Sequence, residues 1–132
     1  MTAITTTDPR AATKAALERF LTGRSATVSL RDVPGDDRTR RLPYVQVRLN
    51  GNGRDSRLNF EATIRVLVYA RDDFDSQQLA SELEARLLDT SDALIRSVSP
   101  GLSAMPSTDP DLHIPFSFFT VTVRTRPVAL GG

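Results

Sequence analysis

The single histidine of this chain lies beside two carboxylates, in the segment STDPDLH. Asp109, Asp111 and His113 could bind a metal ion, or a carboxylate could orient the histidine as a general base. A metal site needs several converging ligands, and one histidine with two local aspartates is a weak set. The chain has no cysteine, which excludes disulfides, thiolate zinc sites and cysteine nucleophiles. We therefore interpret His113 as a loop residue before a strand, and we predict no catalytic, metal or cofactor site.

Two other patterns could also carry chemistry, and in each the simpler interpretation is favoured. Asp72, Asp73 and Asp75 precede a predicted helix, where the helix dipole favours carboxylates without any bound cation. They lack the glycine and the terminal glutamate of an EF-hand loop. The glycines of the NGNG segment at 50–53 are followed by no lysine–serine pair and open no helix, so they do not form a phosphate-binding loop. We expect no enzymatic activity.

Length and composition indicate one ordinary globular domain. The 132 residues are 39% hydrophobic and 25% charged, with a net charge of +1. We assign a single domain to residues 1–132 and expect residues 1–7 and 128–132 to be flexible. The apolar runs are too short to span a bilayer, and the first residues lack the pattern of a signal peptide. We therefore expect no membrane contact and a location in the cytoplasm of the cell that makes the protein.

The basic residues are arginines apart from Lys14, which is either the effect of a GC-rich genome or a sign of interfaces. Arg38, Arg40 and Arg41 form a cluster beside two aspartates. Three interpretations remain open for the cluster: a nucleic-acid contact, a solvated loop, or a salt-bridged contact with another subunit. Near-zero net charge provides no global field that would draw the protein onto nucleic acid.

Hydrophobic periodicity predicts the elements around these residues. Residues 59–71 alternate between apolar and polar over a long strand, and residues 75–89 have leucines at helical spacing. Because the strand and the helix follow each other closely, we predict that the helix folds back onto the apolar face of the strand. Asp75 and Gln78 resemble a capping box at the start of this helix. An earlier helix should begin at Pro9, with Asp8 as its N-cap, and stop at Gly23.

Further strands are predicted at 26–31, 43–49 and 114–126, with a brief edge strand at 102–105 and a short helix or turn at 91–98. In the last long strand, Phe118 and Phe119 change the apolar phase, which indicates either a bulge or apolar partners on both faces. Residues 50–58, with two Asn-Gly pairs, should form a projecting hairpin loop that carries Arg54, Asp55 and Arg57. We expect this loop and the cluster at 38–41 to make subunit or ring contacts.

This order of elements predicts an α+β fold. The mostly antiparallel β-sheet should have the N-terminal helix and the second helix packed on one face, with a projecting β-hairpin loop. Hairpin-type connections dominate, and the regular alternation of strand and helix that a parallel sheet requires is missing.

The layout resembles the tail-terminator proteins of long-tailed bacteriophages, also called tail-completion or minor tail proteins. The resemblance covers about residues 8–127. It lies in the initial helix, a strand pair, the long strand RLNFEATIRVLVYARD, the helix SQQLASELEARLLD and the final strand PFSFFTVTVRTRP. It is one of pattern and element order, without an invariant signature. The charged insertion at 32–41 departs from the family pattern and would alter contacts with neighbours.

The resemblance implies a structural protein of the virion, assembled in the host cytoplasm and located at the head-proximal end of the tail. Six copies would form a homo-hexameric ring that caps the tail tube, ends its polymerisation and offers a joining surface to the head. The implied partners are the major tail tube protein, the head–tail connector proteins and the genomic DNA that passes through the ring. A closed ring uses head-to-tail interfaces between two different patches.

Two alternatives stay open. One is another head–tail connector component, such as a neck or head-completion protein, which would share the size and the ring symmetry. The other is a small ligand-binding or nucleotide-binding enzyme of ferredoxin-like build, which would require a pocket with converging polar groups.

Overall fold

The described part of the chain folds into a six-stranded sheet with two helices, and into a small two-stranded sheet formed by strands near its two ends. The computed structural model describes residues 3–36, 38, 40–54 and 58–130. The helices are α1 (Pro9–Phe20) and α2 (Asp73–Leu88). The strands are β1 (Ile4–Thr6), β2 (Thr27–Ser29), β3 (Tyr44–Arg54), β4 (Phe60–Tyr69), β5 (Ile95–Pro100), β6 (Met105–Thr108), β7 (Pro115–Thr125) and β8 (Pro127–Ala129). The predicted α+β class, with its mostly antiparallel sheet, is confirmed.

The six-stranded sheet has the order β2-β3-β4-β7-β5, and β6 also pairs with β7. Only the β2–β3 pair is parallel among the described strand pairs. The strands β5 and β6 follow one another along the same side of β7, so that β5 lies beside residues 121–125 and β6 beside residues 115–118. The long strands β3, β4 and β7 therefore form the centre of the sheet.

The main core lies between this sheet and both helices, as the periodicity predicts. Every second residue of β4 from Ala62 to Val68 is buried and belongs to this core. The buried residues that the helices and the C-cap of α1, Leu21, contribute are Ala12, Ala16, Leu17, Leu21, Ala80, Leu83 and Leu87. Small residues on α1 allow the helix to approach the sheet closely, since a buried alanine adds little height to a packed surface.

A second, smaller core lies on the opposite face of the sheet. Its buried members are Val33, Tyr44, Leu67, Tyr69, Ile114 and Phe116. Because Phe116 belongs to this cluster and Phe119 to the main core, β7 has apolar partners on both faces. The β4–β7 register runs unbroken from Phe60 opposite Thr125 to Tyr69 opposite Phe116. The structure thus favours two-sided burial over a bulge as the reason for the phase change.

The helix starts agree with one prediction and correct another. Asp8 caps α1, and its Oδ1 accepts a hydrogen bond from the Arg10 backbone N at 2.9 Å. The cap of α2 is Asp72, whose Oδ1 accepts from the Asp75 backbone N at 2.7 Å. The proposed cap at Asp75 was therefore wrong by three residues. The reason is that Asp72 has the extended backbone of a cap, whereas Asp75 already lies in the first helical turn.

Three segments differ from the sequence expectation. The expected turn or helix at 91–98 contains the start of β5, because Asp92 Oδ1 accepts the N–H groups of Leu94 and Ile95 and turns the chain into the strand. The edge strand expected at 102–105 lies at Met105–Thr108. The expected loop at 50–58 is strand as far as Arg54, after an irregularity between Leu49 and Gly51.

Parts of the ends expected to be flexible, 1–7 and 128–132, lie in strands, and residues 1, 2, 131 and 132 lie outside the described residues. The strands β1 and β8 pair antiparallel, with Thr5 opposite Val128. The Thr6 hydroxyl donates to the Arg126 carbonyl oxygen at 3.2 Å and also contacts the Thr125 hydroxyl. Within the described residues, neither helix is long and apolar enough to cross a membrane.

Candidate self-association surface

The outer side of β3 is open over most of its length. β2 pairs with β3 only at Tyr44, Val45 and Gln46. Beyond that point, residues 47–53 pair with β4 on one side and with no described strand on the other. The side chains from 48 onward are exposed. A bare sheet edge of this kind presents backbone N–H and C=O groups that can pair with another chain.

The opposite side of the sheet is open at β5. This strand pairs with β7 and, among the described strands, with nothing on its outer side. Ile95 is fully buried in the main core, while Ser97, Val98 and Ser99 are half-buried. The two open edges therefore belong to unlike strands, one glycine-rich and one serine-rich.

The strand registers place both open edges at the same level of the sheet. A level here is a row of paired residues that runs across β3, β4, β7 and β5. Two such rows bound the open edges. At one level lie Arg54, Phe60, Thr125 and Ile95. At the other lie Leu49, Ile64, Val121 and Pro100. Beyond these levels, β2 pairs with residues 44–46 of β3 on one side, and β6 pairs with residues 115–118 of β7 on the other.

At the open half and in the row next to it, the face away from the helices is polar. Arg48 and Arg65 are directly opposite each other in β3 and β4. The Arg65 guanidinium lies 4.3 Å from the centroid of the Phe118 ring, a cation–π contact, and its Nε is buried without a hydrogen-bond partner among the described atoms. Glu61 and Arg124 form an ion pair at 3.0 Å farther along the same face. Hydroxyl and charged groups thus cover this half of the sheet.

The predicted contact residues at 38–41 are occupied within their own segment. Arg40 donates from Nε to the Pro34 carbonyl oxygen at 2.9 Å. Arg41 donates from Nη1 to the Arg38 carbonyl oxygen at 2.9 Å. These contacts fold the charged insertion back on itself, so the arginine cluster stabilises its own loop. Arg38 and Arg41 are exposed.

The predicted contact residue Arg54 lies at the far end of β3 from that cluster. Its guanidinium lies 4.4 Å from the centroid of the Phe60 ring and donates to the Ile4 carbonyl oxygen at 2.9 Å. β3 has 11 residues and therefore spans about 35 Å, so the structure does not bring Arg54 together with the 38–41 cluster. Asp55 and Arg57 lie outside the described residues.

The histidine segment forms a tight turn. Asp109 Oδ1 accepts the backbone N–H groups of Asp111 and Leu112, and the Asp109 carbonyl oxygen accepts the His113 N–H at 2.8 Å. His113 has a φ of 55°, in the left-handed region. Across the described ranges, no group of three or more histidine, aspartate or glutamate side chains is arranged to hold a metal ion. Asp109 thus serves the turn that leads into β7.

A polar cavity of about 400 Å³ lies beside this turn, and sequence reasoning missed it. Asp32, Gln46, Arg48, Tyr69 and Asp109 contribute to its lining. Asp32 Oδ1 accepts from Gln46 Nε2 at 2.7 Å and from Arg48 at 3.3 Å. Burial, followed by the nearby Asp109 carboxylate, raises the pKa of the Tyr69 hydroxyl above its ordinary value. The available signal in the sequence was that Gln46, Arg48 and Tyr69 all fall on the side of their predicted strands opposite to the main apolar side.

The geometry thus provides two unlike sheet edges at one level, an arginine-bearing polar face and a polar cavity beside the histidine turn. A scan against models of protein families found no match, and a search of curated proteins found no significant match either.

Proposed function

We propose that this chain is the subunit of a tail-terminator ring of a long-tailed bacteriophage. In this role six copies close into a ring on the head-proximal end of the tail tube. The ring ends tube polymerisation and offers a surface to the head–tail connector, and the genome passes through its centre. The partners are other copies of the chain, the tail tube protein, the connector proteins and, transiently, DNA. The protein acts by assembly and has no enzymatic activity.

The observation that carries this proposal is the pair of unlike open edges on β3 and β5. A ring requires two different patches on each subunit, since a patch that binds only itself closes a two-fold dimer instead. The order of helices and strands that motivated the tail-terminator resemblance supports the proposal further, because α1, β3, β4, α2 and β7 occupy the corresponding parts of the chain.

The mass of the purified protein in solution tests the ring. Six chains of 14.5 kDa give a particle of about 87 kDa, which native mass spectrometry distinguishes from smaller assemblies. We expect this species to dominate at micromolar concentration. A monomer at every concentration, together with its absence from virions, would overturn the proposal.

Phage particles that lack the protein separate a terminator from other connector components. Loss of a terminator should leave tails that are overlong or unattached to heads. Loss of a neck or head-completion protein should instead leave filled heads that leak DNA. Electron microscopy of a deletion phage, complemented by the wild-type chain on a plasmid, gives the answer directly.

The polar cavity favours one second candidate, a small-ligand-binding protein. Gln46, Arg48 and Tyr69 converge there, as such a pocket requires. Native mass spectrometry of protein taken directly from the producing cell would detect a retained small molecule. A ligand lost on Arg48→Ala, while the protein remains folded and monomeric, would favour this candidate over the ring.

A further inference from the structure

We propose that the polar cavity beside the histidine turn binds an organic cation with a guanidinium head group. The head group would contact the Tyr69 hydroxyl and the aspartates that line the cavity. This inference goes beyond the proposed ring and specifies the ligand chemistry of the cavity named there as a second candidate. Two sources offer such a head group: a free alkylguanidine, and an arginine side chain of another copy of this chain.

The Tyr69 hydroxyl is the first feature that indicates a ligand. Tyr69 is only 4% exposed, and its ring lies 6.5 Å from the Tyr44 ring and 5.1 Å from the Phe116 ring, centroid to centroid. Tyr69 lines the cavity, and its hydroxyl has no hydrogen-bond partner among the described residues. The Tyr44 hydroxyl, in contrast, donates to the Arg31 carbonyl oxygen at 2.9 Å. Because buried polar groups are nearly always hydrogen-bonded, the Tyr69 hydroxyl indicates a polar occupant of the cavity.

Gln46 adds a second acceptor to the same lining. It is 2% exposed, and its Nε2 donates to Asp32 Oδ1 at 2.7 Å. Since an ionised carboxylate only accepts hydrogen bonds, this contact fixes the orientation of the amide. Gln46 Oε1 is left as an acceptor, and it has no hydrogen-bond partner among the described atoms. Two buried side chains on neighbouring strands therefore leave oxygen atoms available at one cavity.

The charge of the lining favours a cation. Among the described lining residues, the carboxylates of Asp32, Asp109 and Asp111 oppose the guanidinium of Arg48, which leaves a net formal charge of −2 at neutral pH. Arg48 is paired with Asp32 at 3.3 Å and holds this exposed carboxylate at the cavity, so it positions an acceptor. Neither Asp109 nor Asp111 has an ion-pair partner within the described ranges. A cationic ligand would supply that partner.

The placement of the acceptors favours a broad head group over a compact ion. Within the described residues, no three histidine, aspartate or glutamate side chains are arranged to hold a metal ion. The acceptors instead lie on separate elements, with Gln46 on β3, Tyr69 on β4 and Asp109 in the turn before β7. A guanidinium presents five N–H donors in one plane and can reach acceptors on several sides, whereas an ammonium is a compact point charge. A cavity of about 400 Å³ also has room for an attached alkyl chain.

Agmatine, an alkyl chain with a guanidinium at one end and an ammonium at the other, is the probe that matches this charge. Isothermal titration calorimetry should show saturable binding of one agmatine per chain. Asp109→Asn should weaken binding about tenfold, because it removes the charge while its amide oxygen still accepts the N–H groups of the turn. The matched control, Asp73→Asn, removes an exposed carboxylate from the first turn of α2, on the other face of the sheet, and should leave binding unchanged. Butylurea, which lacks the charge, should not bind.

Tyr69→Phe separates a ligand contact from a structural role. It should weaken agmatine binding about tenfold. It should leave the free energy of unfolding of the ligand-free protein unchanged, because the hydroxyl makes no hydrogen bond within the described part of the chain. Tyr44→Phe is the matched control and should lower the free energy of unfolding, since its hydroxyl donates to the Arg31 carbonyl oxygen. A Tyr69→Phe variant that loses stability but keeps its affinity for agmatine would overturn the role of the hydroxyl.

Methylguanidinium distinguishes the two sources of the head group. We expect this probe to bind the dissociated chain, and nuclear magnetic resonance titration can follow the binding. A site that disappears when copies assemble is filled by an arginine of a neighbouring copy. A site that persists in the assembly takes a free cation, which native mass spectrometry of protein from the producing cell should then detect.

The outcomes separate this inference from the ring. The absence of saturable agmatine binding overturns the cation site, as does binding that Asp109→Asn and Tyr69→Phe both leave unchanged. Neither result bears on the ring, which is measured by the mass of the particle. A chain that stays monomeric at every concentration, is absent from virions and binds agmatine would overturn the ring and support the cation site.

Discussion

The hydroxyl oxygens of Ser76 and Ser117 lie 3.0 Å apart in the buried interior and join the first turn of α2 to β7. The Ser76 hydroxyl donates its single proton to the Asp73 carbonyl oxygen at 3.0 Å. It therefore accepts from Ser117, whose hydroxyl proton has Ser76 as its acceptor. This assignment makes the two serines unequal, although their environments are alike.

We predict that Ser76→Ala destabilises the fold more than Ser117→Ala. Removing Ser76 leaves the buried Ser117 donor without an acceptor, at a cost of about 1–3 kcal/mol. Removing Ser117 leaves Ser76 with its bond to Asp73, at a cost of about 0.5–1.5 kcal/mol. Urea unfolding of the two variants measures the difference. The double variant should be no less stable than Ser76→Ala alone, and equal effects of the single variants would contradict the assignment.

Gly101 is predicted to tolerate no side chain. A Cβ there would lie 2.8 Å from the Thr120 carbonyl oxygen and closer still to its hydroxyl, and the Gly101 N–H already donates to that carbonyl oxygen at 3.0 Å. Gly101→Ala should therefore cost about 1–3 kcal/mol of unfolding free energy. Gly35→Ala is the matched control, because its Cβ would meet only a leucine methyl at 3.7 Å. If both variants lost a similar, small amount of unfolding free energy, β7 would have to shift at little cost to make room for the added methyl group.

The cap of α2 gives a third prediction. Asp72→Ala removes the oxygen that accepts the Asp75 N–H and should destabilise the protein by about 1 kcal/mol. Asp75→Ala should cost less, since it removes only a favourable charge near the helix N-terminus. Thermal unfolding of both variants checks the order. If Asp75→Ala destabilised the protein more than Asp72→Ala, the cap would be Asp75, as the sequence pattern alone predicts.

Stability at low pH should depend on Glu82. The hydrogen bonds from Arg24, followed by those from Arg86, hold the pKa of the Glu82 carboxyl below its ordinary value of 4.5. Because the folded-state pKa is lowered, the stabilisation is present above that ordinary value and is lost as the pH falls through the folded-state pKa. The groups are partly exposed, so Glu82→Gln should cost less than about 1 kcal/mol at neutral pH.

The measurement for Glu82 is the difference in unfolding free energy between wild type and Glu82→Gln as a function of pH. This difference should shrink toward zero as the pH falls below the folded-state pKa. Arg24→Gln should lose a similar amount at neutral pH, and the double variant should lose less than the sum of the two. A difference that stays constant with pH would rule out the ion pair as its source.

The sequence predicts the fold well where hydrophobic periodicity is long. The strand around Ile64 and the helix around Leu83 both show clear periods, and both are found with the predicted faces buried. Prediction was poorest where short-range hydrogen bonds decide the path of the chain. Asp92, for example, turns residues 94 and 95 into a strand through its side chain, and residue spacing carries no trace of that bond.

The candidate surface was only partly predictable. That the 50–58 segment makes subunit contacts stays a prediction, whereas the loop that the same sequence pattern predicts at its glycines is wrong. Gly51 and Gly53 are instead ladder positions opposite Thr63 and Glu61. Glycine weakens a strand and favours turns, so local propensity pointed away from the observed structure. The equal level of the β3 and β5 edges follows from the register of three strand pairs, which no local pattern encodes.

The second core covers only one end of the central strands. Each of these strands therefore has a hydrophobic core on both faces at one end and a polar outer face at the other. Amide hydrogen exchange along β4 should consequently form a gradient, slowest toward Tyr69 and faster toward Phe60. A strand that is packed on both faces at one end and on one face at the other can change its twist at the second end when it contacts another subunit. The rest of the molecule then stays rigid.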